Sequence, residues 1–362
     1  MTSHIANPPW SRILPVVAAL MVAAGMAGLL DKGSGIVIAV AAILLGGAVF
    51  AAVHHAEILA ARLGEPFGSI VLAIAVTSIE VALIVSIMLS GAQGSEDVAR
   101  DTVFSAVMIV LNGVVGLCLV LGGQRHREQS FQLHGASAAL AVLGTLSVLV
   151  MVLPNFTQSA PGPVLTAIQL VYVAAVSLVL YATFIFVQTI RHRDYFLEAA
   201  DDEHDPAEKP SVALAVESLV LLLVSLIAVV LLAKTLSYPL DKAVEKAGLA
   251  RSVVGVIIAG IVLLPEGIAS VRAALLNRLQ NSINLVLGSA LASIGLTIPV
   301  VAAVSLVLGR SLTLGLALQN MVLLVLTLFV GTLTLGTGRT TLLHGVIHLA
   351  IFGAFLLLAI VP

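Results

Sequence analysis

Two glutamates stand alone deep inside very apolar segments of the chain. Glu80 lies in GSIVLAIAVTSIEVALIVSIMLSG, and Glu266 lies in VVGVIIAGIVLLPEGIASVRAAL. A carboxylate near the centre of a bilayer costs at least about 2.5 kcal/mol on insertion scales, so intramembrane acids usually face a bundle interior and mark an ion or proton pathway. Neither segment has a Lys or Arg at that depth to form a structural ion pair. Two acids at matching depths therefore favour ion transport.

The charge of such a pair predicts a specific chemistry. Two ionised carboxylates carry about two negative charges, which either one Ca²⁺ or two protons neutralise, so each occupant excludes the other. Ca²⁺ prefers about six to eight oxygen ligands, more than two carboxylates supply. We expect Thr77, Asn112 and Ser289 to complete the shell, because each is a polar residue in an apolar run. The competing interpretation of these three is hydrogen bonding between packed helices.

The composition identifies the class of protein that must position these groups. Of 362 residues, 60% are hydrophobic and only 10% are charged, which is typical of a polytopic membrane protein. The net charge of -2 offers no basic patch for nucleic acid. No nucleophile-base set or zinc motif lies inside an apolar run, so an enzyme is not expected. No cofactor is expected beyond the transported ions.

The apolar runs predict an all-α fold. A helix needs roughly 20 residues to cross the hydrocarbon core, and the chain supplies eleven such runs. Gly and Ala occur throughout runs of this length, which fits helices and not the shorter alternating strands of a barrel. We predict spans at 13–30, 35–61, 67–90, 102–122, 135–153, 164–190, 212–235, 252–275, 283–308, 312–335 and 342–361.

Two irregularities are expected in the second part of the chain. The segment YPLDKAVEKAGLA, residues 238–250, resembles a short helix at the membrane interface with charges at helical spacing. Pro265 has no N–H to offer the carbonyl of Ile261, so it predicts a break next to Glu266 whose freed carbonyl can face a cation.

The spans also contain an internal repeat. Aligning Glu80 with Glu266 places SIVLA at 69–73 over GVIIA at 255–259. The two acids lie in the third and eighth spans, which cross the bilayer in opposite directions, and inverted repeats place a substrate site near the midplane. We predict one leading helix and two inverted five-helix repeats, divided as residues 1–34 for the leading helix, 35–190 for the first repeat, 191–211 for an acidic loop and 212–362 for the second repeat.

At this point the motifs resemble a known family. TSIEV at 77–81, LLPEGIASVRAA at 263–274 and NRLQNSINLVLGSALASIGLTIPV at 277–300 look like the bacterial branch of cation/proton antiporters in the calcium/cation exchanger superfamily. The likeness covers nearly the whole chain. It implies export of Ca²⁺, Na⁺ or K⁺ against protons, with the two glutamates as the essential carboxylates. Many relatives have Gly-Asn ahead of each acid, where this chain has Val76-Thr77 and Val262-Leu263, so the resemblance leaves the preferred cation open.

The distribution of charge predicts the orientation. Lys and Arg are more numerous on the side that contains Arg12, Arg62, Arg125 and Arg191, which is therefore the expected cytoplasmic side. The N-terminus is then cytoplasmic, the C-terminus is outside, and the expected location is the bacterial inner membrane. The expected partners are inorganic cations, protons and the lipid bilayer. Gly-rich helices allow close packing within or between protomers, so a homo-oligomer stays open.

An acidic loop on the predicted cytoplasmic side has two interpretations. Such a charge run is most often a solvated linker. The alternative is a cation-attracting funnel at the cytoplasmic mouth. We assign to the funnel Glu57, Glu217, Asp201, Asp202, Glu203 and Asp205.

Other functions stay open on the sequence alone. The chain could be a proton-coupled exporter of a small organic solute, with the glutamates as proton relays, or a cation channel, although inverted repeats with one acid each favour alternating access. His344 and His348 lie four residues apart on one helical face, the spacing of a metal-binding or haem-binding pair. Without a third ligand on that helix, packing or an interfacial role is the favoured interpretation.

Overall fold

The computed structural model describes residues 8–31, 34–64, 67–90, 94–197, 209–250 and 252–361. Within these ranges the chain is almost entirely helical. Eleven helical spans are long and apolar enough to cross a membrane, and their order follows the predicted one. The all-α fold of a polytopic membrane protein is therefore confirmed.

The described residues form thirteen α-helices, because two of the spans each contain two helices. The bounds are α1 Pro9–Met26, α2 Gly35–Leu63, α3 Phe67–Ser90, α4 Val98–Met108, α5 Val115–His126, α6 Leu133–Ser147, α7 Ala167–Phe186, α8 Val212–Lys246, α9 Ser252–Leu275, α10 Leu279–Ala292, α11 Ile298–Leu308, α12 Leu318–Leu335 and α13 Leu342–Ile360. Two short 3₁₀ turns follow α6 and α7, at Leu153–Phe156 and Arg193–Tyr195.

Wider π-helical turns interrupt several spans. One at Ile109–Val114 joins α4 to α5, and another at Ser293–Thr297 joins α10 to α11. Two more continue α6 and α7, at Val148–Val152 and Val187–Arg191. Such turns are rare and often occur at functional sites, since the extra residue per turn redirects side chains. The first two turns lie in the spans that directly follow the helices of Glu80 and Glu266.

The helices form two compact units. In one unit, α2 packs against α1, α3 and α8. In the other, α4 packs against α9, α9 against α10, α7 against α11, and α5 against α13. Each unit combines helices from both predicted repeats. The predicted division into two repeats concerns similarity of sequence, whereas the two units are defined by compactness. The two inverted repeats therefore stay a prediction.

A short antiparallel ribbon fixes the register of two helices in the second unit. Strand β1 at Glu128–Ser130 follows α5, and strand β2 at Arg339–Thr341 precedes α13. Gln129 lies opposite Thr340 in the pairing. The ribbon therefore joins the end of α5 to the start of α13.

The predicted interfacial helix at 238–250 is wrong as a separate element. Helix α8 runs without interruption to Lys246 and includes Pro239. Adding residues to an existing helix requires no new nucleus, whereas a separate short helix has to form a costly first turn. The segment is nevertheless helical as far as Lys246, and the Lys242 ammonium lies 4.5 Å from the centre of the Tyr238 ring, one turn away.

Candidate functional site

Glu266 lies on α9 and meets the neighbouring helix through a hydrogen bond. The Ser289 hydroxyl on α10 donates to Glu266 Oε2. Ser289 is 23 residues from Glu266 in the chain, and the contact forms because α9 and α10 are packed neighbours. The structure thus brings together two of the predicted site residues. Their role as cation ligands stays a prediction.

Pro265 does not divide α9, contrary to the expected break. The helix is continuous from Ser252 to Leu275 with the proline inside it. A spanning helix tolerates proline when neighbouring groups satisfy the freed backbone positions. The proline nitrogen has no hydrogen for the carbonyl of Ile261. A cation at that carbonyl stays a prediction.

Tyr181 packs on the π-helical turn that follows α10, a contact that sequence reasoning missed. The residue is buried on α7. Its side chain packs on the π-helical turn at Gly295, where a Cβ would come within 2.6 Å of the Tyr181 Cβ. The available signal was the rarity of the residue type, since the chain has only four tyrosines.

Glu80 and Thr77 lie on α3, in the other compact unit. Both residues are buried. They are three residues apart, so they share one face of the helix. At about 1.5 Å rise per residue, Glu80 is roughly 20 Å from the start of α3 and about 15 Å from its end, well inside the span. The position of Glu80 at the bilayer midplane and coordination by the pair stay predictions.

Asn112 lies in the π-helical turn between α4 and α5 and is fully buried. Its Nδ2 donates to Thr327 Oγ1 on α12 at 2.9 Å. Its Oδ1 lies 3.0 Å from His348 Nδ1 on α13. The carboxamide therefore links three spans, which is the helix-packing alternative that the sequence left open. Its Oδ1 retains a second lone pair, so a ligand role is compatible with these contacts.

The two histidines of α13 have separate roles. His344 Nδ1 accepts a hydrogen bond from the Thr341 backbone N–H at 3.2 Å and caps the exposed start of the helix. His348 is buried and contacts Asn112 and Thr334. Among the described residues, no group of three or more His, Cys, Asp or Glu side chains could hold a metal ion. These contacts give His344 a capping role and His348 a packing role between spans.

The predicted funnel residues have different surroundings. Both carboxylate oxygens of Glu217 on α8 contact the Arg12 guanidinium, at 2.5 and 3.0 Å, so a fixed positive charge offsets this acid. Glu57 on α2 is exposed. The acids of the loop lie outside the described residues, namely Asp201, Asp202, Glu203 and Asp205. The funnel stays a prediction. In it, Glu217 attracts cations less strongly, because Arg12 compensates its negative charge.

The Arg12 pair belongs to a polar cluster that the sequence did not predict. His55 on α2 is buried, with Nε2 at 2.9 Å from the Ser11 carbonyl and Nδ1 at 3.3 Å from the Ser218 hydroxyl. These bonds join α1, α2 and α8 within the first compact unit. The leading helix is thus attached by hydrogen bonds and an ion pair as well as by apolar packing.

Solved structures share this fold along nearly the whole chain. The structure of native YfkE matches with a TM-score of 0.74 at 17% sequence identity, covering 97% of this chain and 100% of that one. The H⁺/Ca²⁺ exchanger CAX matches with a TM-score of 0.68 at 14% identity, covering 96% of this chain and 88% of that one. Both identities are low, so these similarities concern the fold.

Two relatives are similar in sequence. The y4hA protein of Sinorhizobium fredii is 64% identical, covering 100% of this chain and 98% of its own length. The sodium-potassium/proton antiporter ChaA of Escherichia coli is 35% identical, covering 85% of this chain and 84% of its own length. The second similarity therefore extends over more than two thirds of both chains.

A family profile matches the chain in two stretches. Residues 33–190 and 217–361 match the family described as sodium/calcium exchanger protein. The family is one of transporters and not of enzymes. The chain therefore belongs to the sodium/calcium exchanger family, within the superfamily of calcium/cation exchangers.

Proposed function

We propose that the protein is a secondary active antiporter that exports a cation, Ca²⁺ or alternatively Na⁺ or K⁺, in exchange for protons. Family membership and the similarity to a sodium-potassium/proton antiporter support this function. More distant relatives include the Ca²⁺/H⁺ antiporter ChaA of Bacillus subtilis, at 22% identity over 59% of this chain. The names of these relatives favour an inorganic cation over an organic solute, and antiport over a channel.

The observation that carries the proposal is the carboxylate of Glu266 inside a spanning helix, held by a hydroxyl from the next helix. With Glu80 it supplies two charges that a divalent cation or two protons can neutralise. Competition between the two occupants couples their movements, because the site is neutral with either but not with both. Exchange then requires only that the site open to one side at a time.

Ser289 suits both occupied states of this site. While its hydroxyl donates to the ionised Glu266, the lone pairs of its oxygen remain available to a cation. When Glu266 is protonated, the same hydroxyl can rotate and accept from the acid. The residue thus follows the change of occupant without moving its backbone. In the proposal Thr77 and Asn112 supply further oxygens.

The ligand role of Ser289 predicts a loss of cation affinity. We expect Ser289→Ala to raise the KM for the cation about tenfold, because a hydrogen bond to a charged group contributes about 1.5–3 kcal/mol. The measurement is initial exchange rate against cation concentration in proteoliposomes. Ser282→Ala is the matched control on the same helix, since its hydroxyl donates to the Cys118 sulfur and not to Glu266. Equal KM values for the two variants would contradict the role.

The two π-helical turns lie at corresponding positions in the two predicted repeats. One turn, Ile109–Val114, lies in the span after the Glu80 helix, and the other, Ser293–Thr297, lies in the span after the Glu266 helix. Corresponding irregularities near the substrate are what alternating access by inverted repeats uses. We therefore propose that these turns adjust the shape of the site between its two open states.

The function itself is tested by cation-dependent proton flux. Purified protein is reconstituted in proteoliposomes that contain a pH dye and are more acidic inside than outside. Ca²⁺, Na⁺ or K⁺ is then added to the outside in separate experiments. We expect proton movement with at least one of the three cations and none with choline. A channel would be indicated instead if the cation flux had the same rate with and without a proton gradient and no protons moved.

The proposed orientation predicts a labelling pattern. Lys and Arg are more numerous on the side of Arg12 and Arg62, and the number of spans is odd. We therefore predict that the N-terminus and the loop at Asp202 are cytoplasmic and that Pro362 is outside. In a Cys118→Ala background, a membrane-impermeant maleimide applied to intact cells should label Arg310→Cys and leave Asp202→Cys unlabelled. The reverse pattern would overturn the orientation.

A further inference from the structure

His348 is a buried imidazole whose two ring nitrogens both have partners. Nδ1 lies 3.0 Å from Asn112 Oδ1, and Nε2 lies 3.1 Å from Thr334 Oγ1. An amide oxygen can only accept, so Nδ1 donates to Asn112. In the neutral ring Nε2 then accepts from the Thr334 hydroxyl. The position of the Asn112 oxygen therefore matches the neutral tautomer of His348 that carries its hydrogen on Nδ1.

The other end of the Asn112 carboxamide is held by a hydroxyl. Its Nδ2 donates to Thr327 Oγ1 at 2.9 Å, and that hydroxyl lies 3.4 Å from Met108 Sδ. A hydroxyl can donate or accept, so Thr327 alone accommodates either orientation of the carboxamide. The ring N–H of His348 can only donate. The thioether of Met108, which can only accept, lies 3.8 Å from Asn112 Nδ2, and in the tautomer with its hydrogen on Nδ1 the His348 ring holds the oxygen of Asn112 on the opposite side.

Close backbone packing keeps His348 opposite Asn112. A Cβ added at Gly116 would come within 3.1 Å of the His348 Cβ, and one at Gly113 within 3.3 Å of the Phe352 ring. One turn before His348, a Cβ at Gly345 would approach the Val120 nitrogen to 2.6 Å. Helix α13 therefore lies against the span of α4 and α5 at a distance that only glycine permits.

We propose that His348 is a positioning residue for cation binding, which acts by orienting the Asn112 carboxamide in the π-helical turn. This inference rests on the proposed function. With Nδ1–H on one lone pair of Oδ1, the second lone pair keeps a fixed direction for the cation. Rotation of the carboxamide by half a turn would present its NH₂ group instead, which repels a cation. His348 thus acts on affinity without contacting the ion.

Two amide substitutions distinguish this role from packing. The side-chain nitrogen of Asn falls near the place of Nδ1, whereas that of Gln falls near Nε2. We expect His348→Gln to raise the KM for the cation about tenfold, the effect of losing one hydrogen bond of about 1.5 kcal/mol, and His348→Asn to stay within about threefold of wild type. Maximal rate should change little in either variant. His344→Asn is the control, because its ring lies at the exposed start of the same helix.

A double-mutant cycle shows whether His348 acts through Asn112. We expect Asn112→Ala to raise the KM, and His348→Gln in that background to add nothing further, since coupled residues are not additive. Fully additive losses, or equal KM values for His348→Asn and His348→Gln, would overturn the inference. Glu266→Gln is measured in parallel. Retained exchange in Glu266→Gln would contradict the proposed function. Loss of exchange in Glu266→Gln together with a wild-type KM in His348→Gln would contradict only the role of His348.

Discussion

Replacing either intramembrane glutamate by glutamine is expected to abolish exchange. Glu80→Gln or Glu266→Gln leaves one carboxylate, whose single charge balances neither a divalent cation nor two protons. Glutamine keeps the size of the side chain and a hydrogen-bonding carbonyl, so Ser289 retains a partner in the Glu266 variant. We expect cation-dependent proton flux to fall at least about a hundredfold, the effect of losing roughly 2.7 kcal/mol of binding in the transport cycle.

The measurement for both variants is the pH-dye assay in proteoliposomes, with insertion checked by size-exclusion chromatography in detergent. Glu245→Gln is the matched control, because this glutamate is exposed near the end of α8. Its flux should equal that of the wild type. Wild-type flux in Glu80→Gln or in Glu266→Gln would refute the model of two carboxylates. Flux for Na⁺ alone in one variant would point to a monovalent site.

The second large effect is expected from a single methyl group on α13. A Cβ at Gly345 would lie 2.6 Å from the Val120 nitrogen and 2.7 Å from the Gly116 carbonyl oxygen. Both atoms belong to the backbone of α5, so relief requires the two helices to separate. Overpacking of this kind typically costs about 1–3 kcal/mol. We expect Gly345→Ala to lower the Tm of the purified protein by several degrees and to raise the KM for the cation by displacing His348.

Gly353→Ala is the matched control for this change. It lies on the same helix, and a Cβ there meets nothing within 4 Å. Alanine is also the better helix former, by about 0.8–1 kcal/mol in a helix interior. We expect an unchanged or slightly higher Tm and an unchanged KM for Gly353→Ala. Equal Tm values for the two variants would show that α5 and α13 are not in the close contact described.

Much of the fold could be predicted from the sequence because the governing constraint is local. A helix must present roughly 20 apolar residues to cross the hydrocarbon core, and this requirement is met or failed within each segment. All eleven spans were predicted for that reason. The glutamates were found by the same reasoning, since a charged residue inside an apolar run is visible without any knowledge of its neighbours. The superfamily followed from motifs of contiguous residues.

Continuity between elements was less predictable. The expected break at Pro265 and the expected separate helix after Tyr238 both rest on local propensity, and in the structure α9 and α8 continue through these positions. A proline removes one hydrogen bond, but the packing of the whole helix determines whether the chain bends or stops. The π-helical turns were not predicted at all, because they satisfy contacts with other helices and have no sequence signature of their own.

The sequence by itself determined the membrane class, the number of spans, the intramembrane acids and the polar residues suited to accompany them. Only the tertiary structure decided which residues meet: it paired Ser289 with Glu266, joined Asn112 to His348, and packed Tyr181 on Gly295. The reason is physical. Helix periodicity specifies the face on which a side chain lies, whereas its partner depends on how closely two helices approach, and that approach is fixed by small residues such as Gly345 and Gly116 distributed along both helices.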